Sequence, residues 1–82
     1  MDKEKMLEDL EEVAKKLSIE VRYEDLVTKG GMCRLKDRQI IMVNKSLPLK
    51  EKIEMLAQSL RKLDLNKVYI LPALREVIKM SQ

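Results

Sequence analysis

Histidine is absent from this chain of 82 residues, and so are tryptophan and phenylalanine. Histidine is the commonest metal ligand and general base in active sites. Without it we expect no metal-dependent or histidine-dependent catalysis, no catalytic residue, and no bound metal or cofactor. The only aromatic residues, Tyr23 and Tyr69, are too few for a platform on which nucleic-acid bases stack.

Cys33 is the only cysteine, which excludes an intrachain disulfide. No apolar run approaches the ~18 residues that a membrane span needs, and the N-terminal sequence MDKEKMLEDLEE lacks the apolar stretch of a secretory signal. These features predict a cytoplasmic protein with no membrane partner. Charged residues make up 38% of the chain and only five residues are Asn or Gln, a composition typical of hyperthermophiles.

Charge is unevenly distributed along the chain. Residues 1–29 contain six Lys/Arg and nine Asp/Glu, whereas residues 30–82 contain eleven and five. The net charge of +3 therefore comes from a basic C-terminal part, which favours an anionic partner. The length and the lack of a linker or repeat predict one domain, residues 1–82.

Hydrophobic periodicity predicts the elements of that domain. Apolar residues recur at three- and four-residue intervals from 6 to 17 and from 49 to 63, as in helices packed on one face, and Pro72 opens a shorter helix. Alternation over 19–23 and 32–36 predicts two strands, and the run Ile40–Val43, apolar on both faces, predicts a third in the middle of the sheet. Asp37–Arg38 is the predicted tight connection between the second and third strands. Val68–Leu71 is predicted to be a short extended segment.

The resulting order is α-β-β-β-α-(β)-α, a two-layer α+β fold in which two longer helices and a short C-terminal helix cover a three- or four-stranded sheet. Gly30 to Lys79 contains G-G-x-C-R, I-I-M-V-N, K-I-E-x-L-A-x-x-L and V-Y-I-L-P-A-L-R-E. This stretch is similar to small uncharacterised bacterial proteins, and its order of elements resembles the minimal zincin-like metallopeptidase scaffold. In that scaffold a hairpin and a strand lead into a helix that carries H-E-x-x-H.

The resemblance implies a scaffold without its chemistry. The segment that would carry the motif is Leu56–Lys62, and zinc hydrolysis there requires two histidines one turn apart with a carboxylate between them. Gln58, Ser59 and Lys62 cannot replace these groups. Zinc hydrolysis is therefore excluded by the residues themselves.

Two short features have a functional and a structural interpretation. Cys33 follows two glycines and precedes Arg34, whose charge could activate the thiol for an enzymatic or redox role; the favoured alternative is a small buried strand residue. The glycines of Thr28–Gly31 could form a phosphate loop, but such loops lead into a helix, and here a strand follows. We expect a plain turn.

Basic residues are densest around the predicted hairpin. A nucleic-acid-binding surface would consist of Arg34, Lys36, Arg38 and Lys45. Such a surface would follow a phosphate backbone with strong salt dependence. The favoured alternative is a solvated edge hairpin whose charges prevent edge-to-edge aggregation.

Methionines suggest a protein partner instead. Methionine is common at adaptable interfaces, and Met55 lies away from the apolar stripe of its helix. We also expect partial exposure of four other methionines, Met6, Met32, Met42 and Met80. Carboxylate pairs, Glu51 with Glu54 or Glu20 with Glu24, would need tertiary contacts to act together. The sequence thus predicts a non-catalytic interaction or structural module that self-associates or binds a protein, with nucleic-acid binding as the alternative and a Cys33-dependent activity third.

Overall fold

Three helices and a three-stranded sheet form in residues 2–81, the part of the chain that the computed structural model describes. In chain order the elements are α1 (Lys3–Lys16), β1 (Glu20–Glu24), β2 (Gly30–Leu35), β3 (Arg38–Asn44), α2 (Leu49–Arg61), a 3₁₀ helix (Leu65–Lys67) and α3 (Pro72–Met80). The two-layer α+β fold predicted from periodicity is confirmed. None of these helices is both long and apolar enough to cross a membrane.

The first helix has a defined cap at each end. Asp2 accepts a hydrogen bond from the Glu4 backbone N–H at 3.3 Å, which satisfies a donor that the helix cannot. At the other end Ser18 has φ 62°, its N–H bonds Lys15 O, and the Ile19 N–H bonds Ala14 O, both at 2.9 Å. This pair of bonds is a Schellman motif, and it turns the chain directly into β1.

The sheet has the order β1-β3-β2, with β3 in the centre as predicted. β1 runs parallel to β3 and β2 runs antiparallel to it. β2 begins with Gly30, whose φ is 128° and whose added Cβ would lie 2.0 Å from the Met42 carbonyl oxygen. Only glycine permits so close an approach of β2 to β3 at this point.

The hairpin turn differs from the prediction by one residue. Leu35 pairs with Arg38, so the two residues of the turn are Lys36 and Asp37, not Asp37 and Arg38. Lys36 has φ 58°, a left-handed conformation of the kind that tight hairpin turns require at their first central residue. Lys36 therefore belongs to the turn, although the alternation over 32–36 predicted it as the last residue of the second strand.

The core lies between the helices and one face of the sheet. Its fully buried side chains include Leu10 of α1, Ile41 and Val43 of β3, and Leu56 and Leu60 of α2. Val21, Tyr23 and Met32 pack against this cluster from the two edge strands. Alternate residues in each strand, Val21 and Tyr23, Ile41 and Val43, and Met32, thus face the helices, as the alternating sequence predicted.

The predicted fourth strand is absent from residues 2–81. Val68–Leu71 follows the 3₁₀ helix with extended backbone at Val68, φ −135° and ψ 156°, but it joins no ladder. Its side chains still alternate, since Ile70 is buried while Tyr69 and Leu71 are exposed. The segment packs as a strap over the core before Pro72 starts α3.

Candidate interaction surface

The sheet face that points away from the helices carries apolar side chains without a covering layer. We call it the open sheet face; it consists of Glu20, Arg22 and Glu24 on β1, Arg38, Ile40 and Met42 on β3, and Gly31, Cys33 and Leu35 on β2. Ile40 and Met42 lie outside the core cluster that contains their neighbours Ile41 and Val43. Leu35 is 53% exposed, so the face presents both apolar and charged groups to solvent.

Ion pairs occupy the β1 side of this face. The Glu20 carboxylate accepts a hydrogen bond from Arg22 Nε at 2.5 Å and another from the Arg38 guanidinium. The bond from Arg22 and the charges of both arginines lower the pKa of Glu20 and outweigh the opposing effect of desolvation. Glu20 also raises the pKa of Arg22. The Glu20–Arg38 pair links β1 to β3. Glu20 is also the β1 neighbour of Ile40, whose β2 neighbour is Cys33.

Cys33 is exposed, and the prediction that it is a buried strand residue is wrong. The reason is the side on which the helices pack. Cys33 shares a face with its partner Ile40, whereas the next residue pair, Met32 and Ile41, faces the helices. Cys33 lies on an edge strand with no helix over this face, so it stays exposed, whereas Ile40 on the central strand is enclosed by its neighbours.

The outer edge of β2 offers unpaired backbone groups. The Asn44 N–H bonds Lys29 O at 2.9 Å, and in an antiparallel ladder every second residue bonds the same neighbour. Gly31, Cys33 and Leu35 therefore direct their N–H and C=O groups towards β3. Met32 and Arg34 direct theirs away from the sheet, and no strand of residues 2–81 pairs with that edge.

Three of the four predicted nucleic-acid-binding residues lie near the hairpin turn, but Arg34 and Arg38 are on opposite faces of the sheet. Arg34, Lys36 and Arg38 lie at the hairpin turn, and all are exposed. Arg38 is paired with Glu20. Lys45 lies at the opposite end of β3, roughly 20 Å away at the rise of a strand, and its Nζ is 3.5 Å from a carboxylate oxygen of Asp25. Of these four residues, Arg34 and Lys36 are the two that form no ion pair with a described residue.

The loop before β2 is held by a residue that the sequence analysis did not single out. Asn44 Nδ2 donates to the carbonyl oxygens of Leu26 and Thr28 at 3.1 and 3.0 Å, and Asn44 Oδ1 accepts from the Ser46 N–H at 2.9 Å. The loop leads into β2 and not into a helix. The plain turn expected at the glycines does not form: the chain bends at residues 27–29, and Gly30 and Gly31 already belong to β2. An asparagine at the end of a strand was the available signal for the ordered loop.

The helix segment compared with H-E-x-x-H serves the packing of α2. Ser59 is buried and its hydroxyl donates to the Met55 carbonyl oxygen at 3.0 Å. Gln58 is half-buried and Lys62 is exposed. Gln58 borders a shallow groove of about 600 Å³ between α2 and α3, which Glu54, Met80 and Ser81 also line.

The members of the two carboxylate pairs, Glu51 with Glu54 and Glu20 with Glu24, differ in their ion-pair partners. Glu51 is 3.4 Å from Lys29 Nζ, Glu20 binds two arginines, and Glu54 and Glu24 are exposed without an ion pair to a described residue. In residues 2–81 no three metal-ligating side chains come together.

Methionines are divided between the core and the surface. Met6, Met32 and Met55 pack against the core cluster, Met42 is half-buried on the open sheet face, and Met80 is exposed at the end of α3. The sequence analysis did not identify a second apolar patch, in which Tyr69 and Leu71 are both more than half exposed. The alternation of Val68–Leu71 was the signal for it.

Comparison with known proteins adds no relative. No family model matches this chain, no curated protein is similar to it, and no solved structure resembles it. The similarity to a zincin-like scaffold stays a prediction from the order of elements.

Proposed function

We propose that this chain is a non-catalytic protein-interaction module, and that it self-associates through the open sheet face and the adjoining edge of β2. One observation carries the proposal: the exposed side chains of Leu35 and Cys33, beside the half-buried Met42, lie on a strand whose outer edge has free backbone groups. Monomeric proteins usually protect such edges with charges, but in β2 only Arg34 is charged and residues 30–33 carry no charge. We further propose a cytoplasmic location, where a reducing environment would keep the exposed thiol of Cys33 free.

Self-association is tested by sedimentation velocity from low to high micromolar protein. We expect a monomer–dimer equilibrium that shifts towards monomer in Leu35→Glu. The control is Leu71→Glu, because Leu71 has nearly the same exposure, 54% against 53%, but lies on the helix side of the molecule. A monomer at every concentration would overturn the proposal. A dimer disrupted only by Leu71→Glu would move the interface to the second apolar patch.

Nucleic-acid binding is the second candidate function. It is supported by Arg34 and Lys36, which are exposed at the hairpin turn without a carboxylate partner among residues 2–81. The test is fluorescence anisotropy of short labelled RNA and DNA at two salt concentrations. Binding that weakens with salt and is lost when Arg34, Lys36, Arg38 and Lys45 are all changed to Gln would favour this function. Equal behaviour of parent and variant would eliminate it.

A Cys33-dependent activity is the third candidate, favoured only by the exposure of the thiol. Titration of the native protein with a thiol reagent, compared with the unfolded protein, tests it. Reactivity no greater than that of the unfolded chain would remove the case for an activated nucleophile.

A further inference from the structure

The register of self-association follows from the free edge of β2, if the proposed function holds. Two copies related by a two-fold axis must align β2 antiparallel with itself. Because Met32 and Arg34 direct their backbone groups outwards, hydrogen-bonded pairs in the new ladder must join residues from this set. Three alignments join Met32 and Arg34 among themselves: those centred on Met32, on Cys33 or on Arg34.

We propose that two copies pair along β2 with Cys33 opposite Cys33 of the second copy. In this register Met32 exchanges backbone hydrogen bonds with Arg34 of the second copy, and the reverse, about four bonds in all. The two three-stranded sheets become one six-stranded sheet. The alignment centred on Arg34 is disfavoured because it places two guanidinium groups directly opposite each other.

Side-chain size favours the register centred on Cys33. It places Leu35 opposite Gly31 of the second copy, on the same face of the joined sheet. Gly31 has no heavy atom within 4 Å of where a Cβ would stand, so the space beside it accommodates the exposed leucine. The register centred on Met32 would place Leu35 opposite Lys29 instead, and the leucine would stay in solvent.

Charge favours the same register. The turn residue Asp37 comes opposite Lys29 of the second copy. Lys36 arrives at the start of the second copy's β2, the end at which Glu51 lies, since Glu51 is 3.4 Å from Lys29 Nζ. Opposite charges therefore meet at both ends of the paired strands, and no like charges are directly opposed. A contact made by one pair of short strands is expected to bury less than the ~800 Å² per partner of a standard interface, so we expect a micromolar dissociation constant.

A proline at position 34 tests the pairing itself. Arg34→Pro removes an N–H that the β2–β3 ladder does not use, together with the charge; Arg34→Gln removes the charge alone. We expect the proline variant to weaken dimerisation about tenfold or more, and the glutamine variant to weaken it much less. Equal dissociation constants for the two variants, each shown by circular dichroism to be folded, would overturn pairing along this edge.

Cross-linking tests the register independently of that variant. In a non-hydrogen-bonded antiparallel pair the Cα atoms are ~4.5 Å apart, within the range that a disulfide spans. Oxidised glutathione would convert the two Cys33 thiols to one intermolecular disulfide and would itself be reduced to two molecules of glutathione. We expect a covalent dimer for the parent. We expect much less for Leu35→Cys in a Cys33→Ser background, because the two positions 35 lie roughly 13 Å apart in this register.

The outcomes separate this inference from the proposed function. A monomer in sedimentation overturns both. The dimer could persist in Arg34→Pro and cross-link no better through Cys33 than through position 35. That result would retain self-association but overturn the proposed register. A monomer whose β2 amide signals shift only on addition of an extended peptide would replace the second copy with a different protein strand, and would overturn the inference.

Discussion

The two faces of the sheet differ in what covers them, and β3 allows a direct comparison because neighbouring isoleucines face opposite sides. Ile41 is fully buried against the helices, and Ile40, on the open sheet face, is only 2% exposed. Ile40 has no helix above it. Its row neighbours are Glu20 and Cys33, and Glu20 is paired with the arginines two residues along β1 and β3.

Equal burial therefore has two different physical origins. On the covered face it results from interlocking of side chains from several elements, which resists relaxation and leaves a cavity when an atom is removed. On the open sheet face no helix contributes, and we attribute the burial to neighbouring side chains of the sheet, since the stems of charged residues can cover apolar groups. Solvent or a partner can take the place of these side chains, which makes the open sheet face the adaptable one.

The largest predicted difference is between Ile41→Ala and Ile40→Ala. We expect Ile41→Ala to reduce the free energy of unfolding by about 4 kcal/mol, as for large-to-small changes at rigid core sites. We expect Ile40→Ala to reduce it by about 2 kcal/mol or less, because water and the arginine stems fill the space. Urea denaturation at a concentration where the protein is monomeric measures both. Losses of equal size would show that the open sheet face packs as rigidly as the core.

The sequence predicted which residues lie in the core better than it predicted which face is open. The alternation from Ile19 to Tyr23 and the doubly apolar run Ile40–Val43 were sufficient, because strand periodicity fixes which side chains share a face. Periodicity does not say which face the helices will cover. Cys33 was assigned to the interior because free cysteines are usually buried, but it lies on the uncovered face together with Leu35, which is also exposed.

The composition of the candidate site was also only partly predictable. Arg34, Lys36 and Arg38 are near in sequence and in space, but Lys45 is separated from them by the length of β3. Glu20, which neutralises Arg38, comes from a strand eighteen residues earlier in the chain. The parallel pairing of β1 with β3 creates this contact, and a long-range pairing of this kind leaves no local signal in the sequence.

A smaller effect is expected from a hydrogen bond on the covered face. The Tyr23 hydroxyl donates to Glu11 of α1, and the Tyr23 ring lies 5.8 Å from Lys52 Nζ. Tyr23→Phe keeps the ring and removes the hydroxyl, so we expect a loss of about 1 kcal/mol at neutral pH. Glu11→Gln keeps an acceptor and is the matched control. A loss near zero in Tyr23→Phe would mean that the hydroxyl exchanges this bond for water without cost.

The same bond predicts a dependence on alkaline pH. Desolvation, with the nearby Glu11, raises the pKa of Tyr23 above that of a free tyrosine. The unfolded chain then loses this proton near pH ~10 while the folded protein retains it, so stability falls as the pH rises beyond that value. We expect the difference in unfolding free energy between the parent and Tyr23→Phe to narrow over this range. A constant difference from neutral to alkaline pH would contradict the assignment.

The smallest effect is expected from the ion pairs of the open sheet face, and it has the opposite pH dependence. Because Arg22 and Arg38 lower the pKa of Glu20, the stabilisation is present above the pKa of an unfolded glutamate, ~4.3. It is lost as the pH falls through the lower folded value. We expect Glu20→Gln to abolish this acid-side loss and to reduce stability slightly at neutral pH, less so at high salt, because exposed pairs are screened.

Glu24→Gln is the matched control for Glu20, since Glu24 lies on the same strand and face and forms no ion pair with a described residue. Thermal unfolding of both variants at acid and neutral pH, at low and high salt, makes the comparison. Identical profiles for the two would mean that the Glu20 pairs contribute nothing beyond an ordinary surface charge. The stability lost in Glu20→Gln could instead grow with protein concentration. Because only the dimer's stability depends on concentration, that result would mean that these ion pairs hold the open sheet face in the shape that a second copy binds.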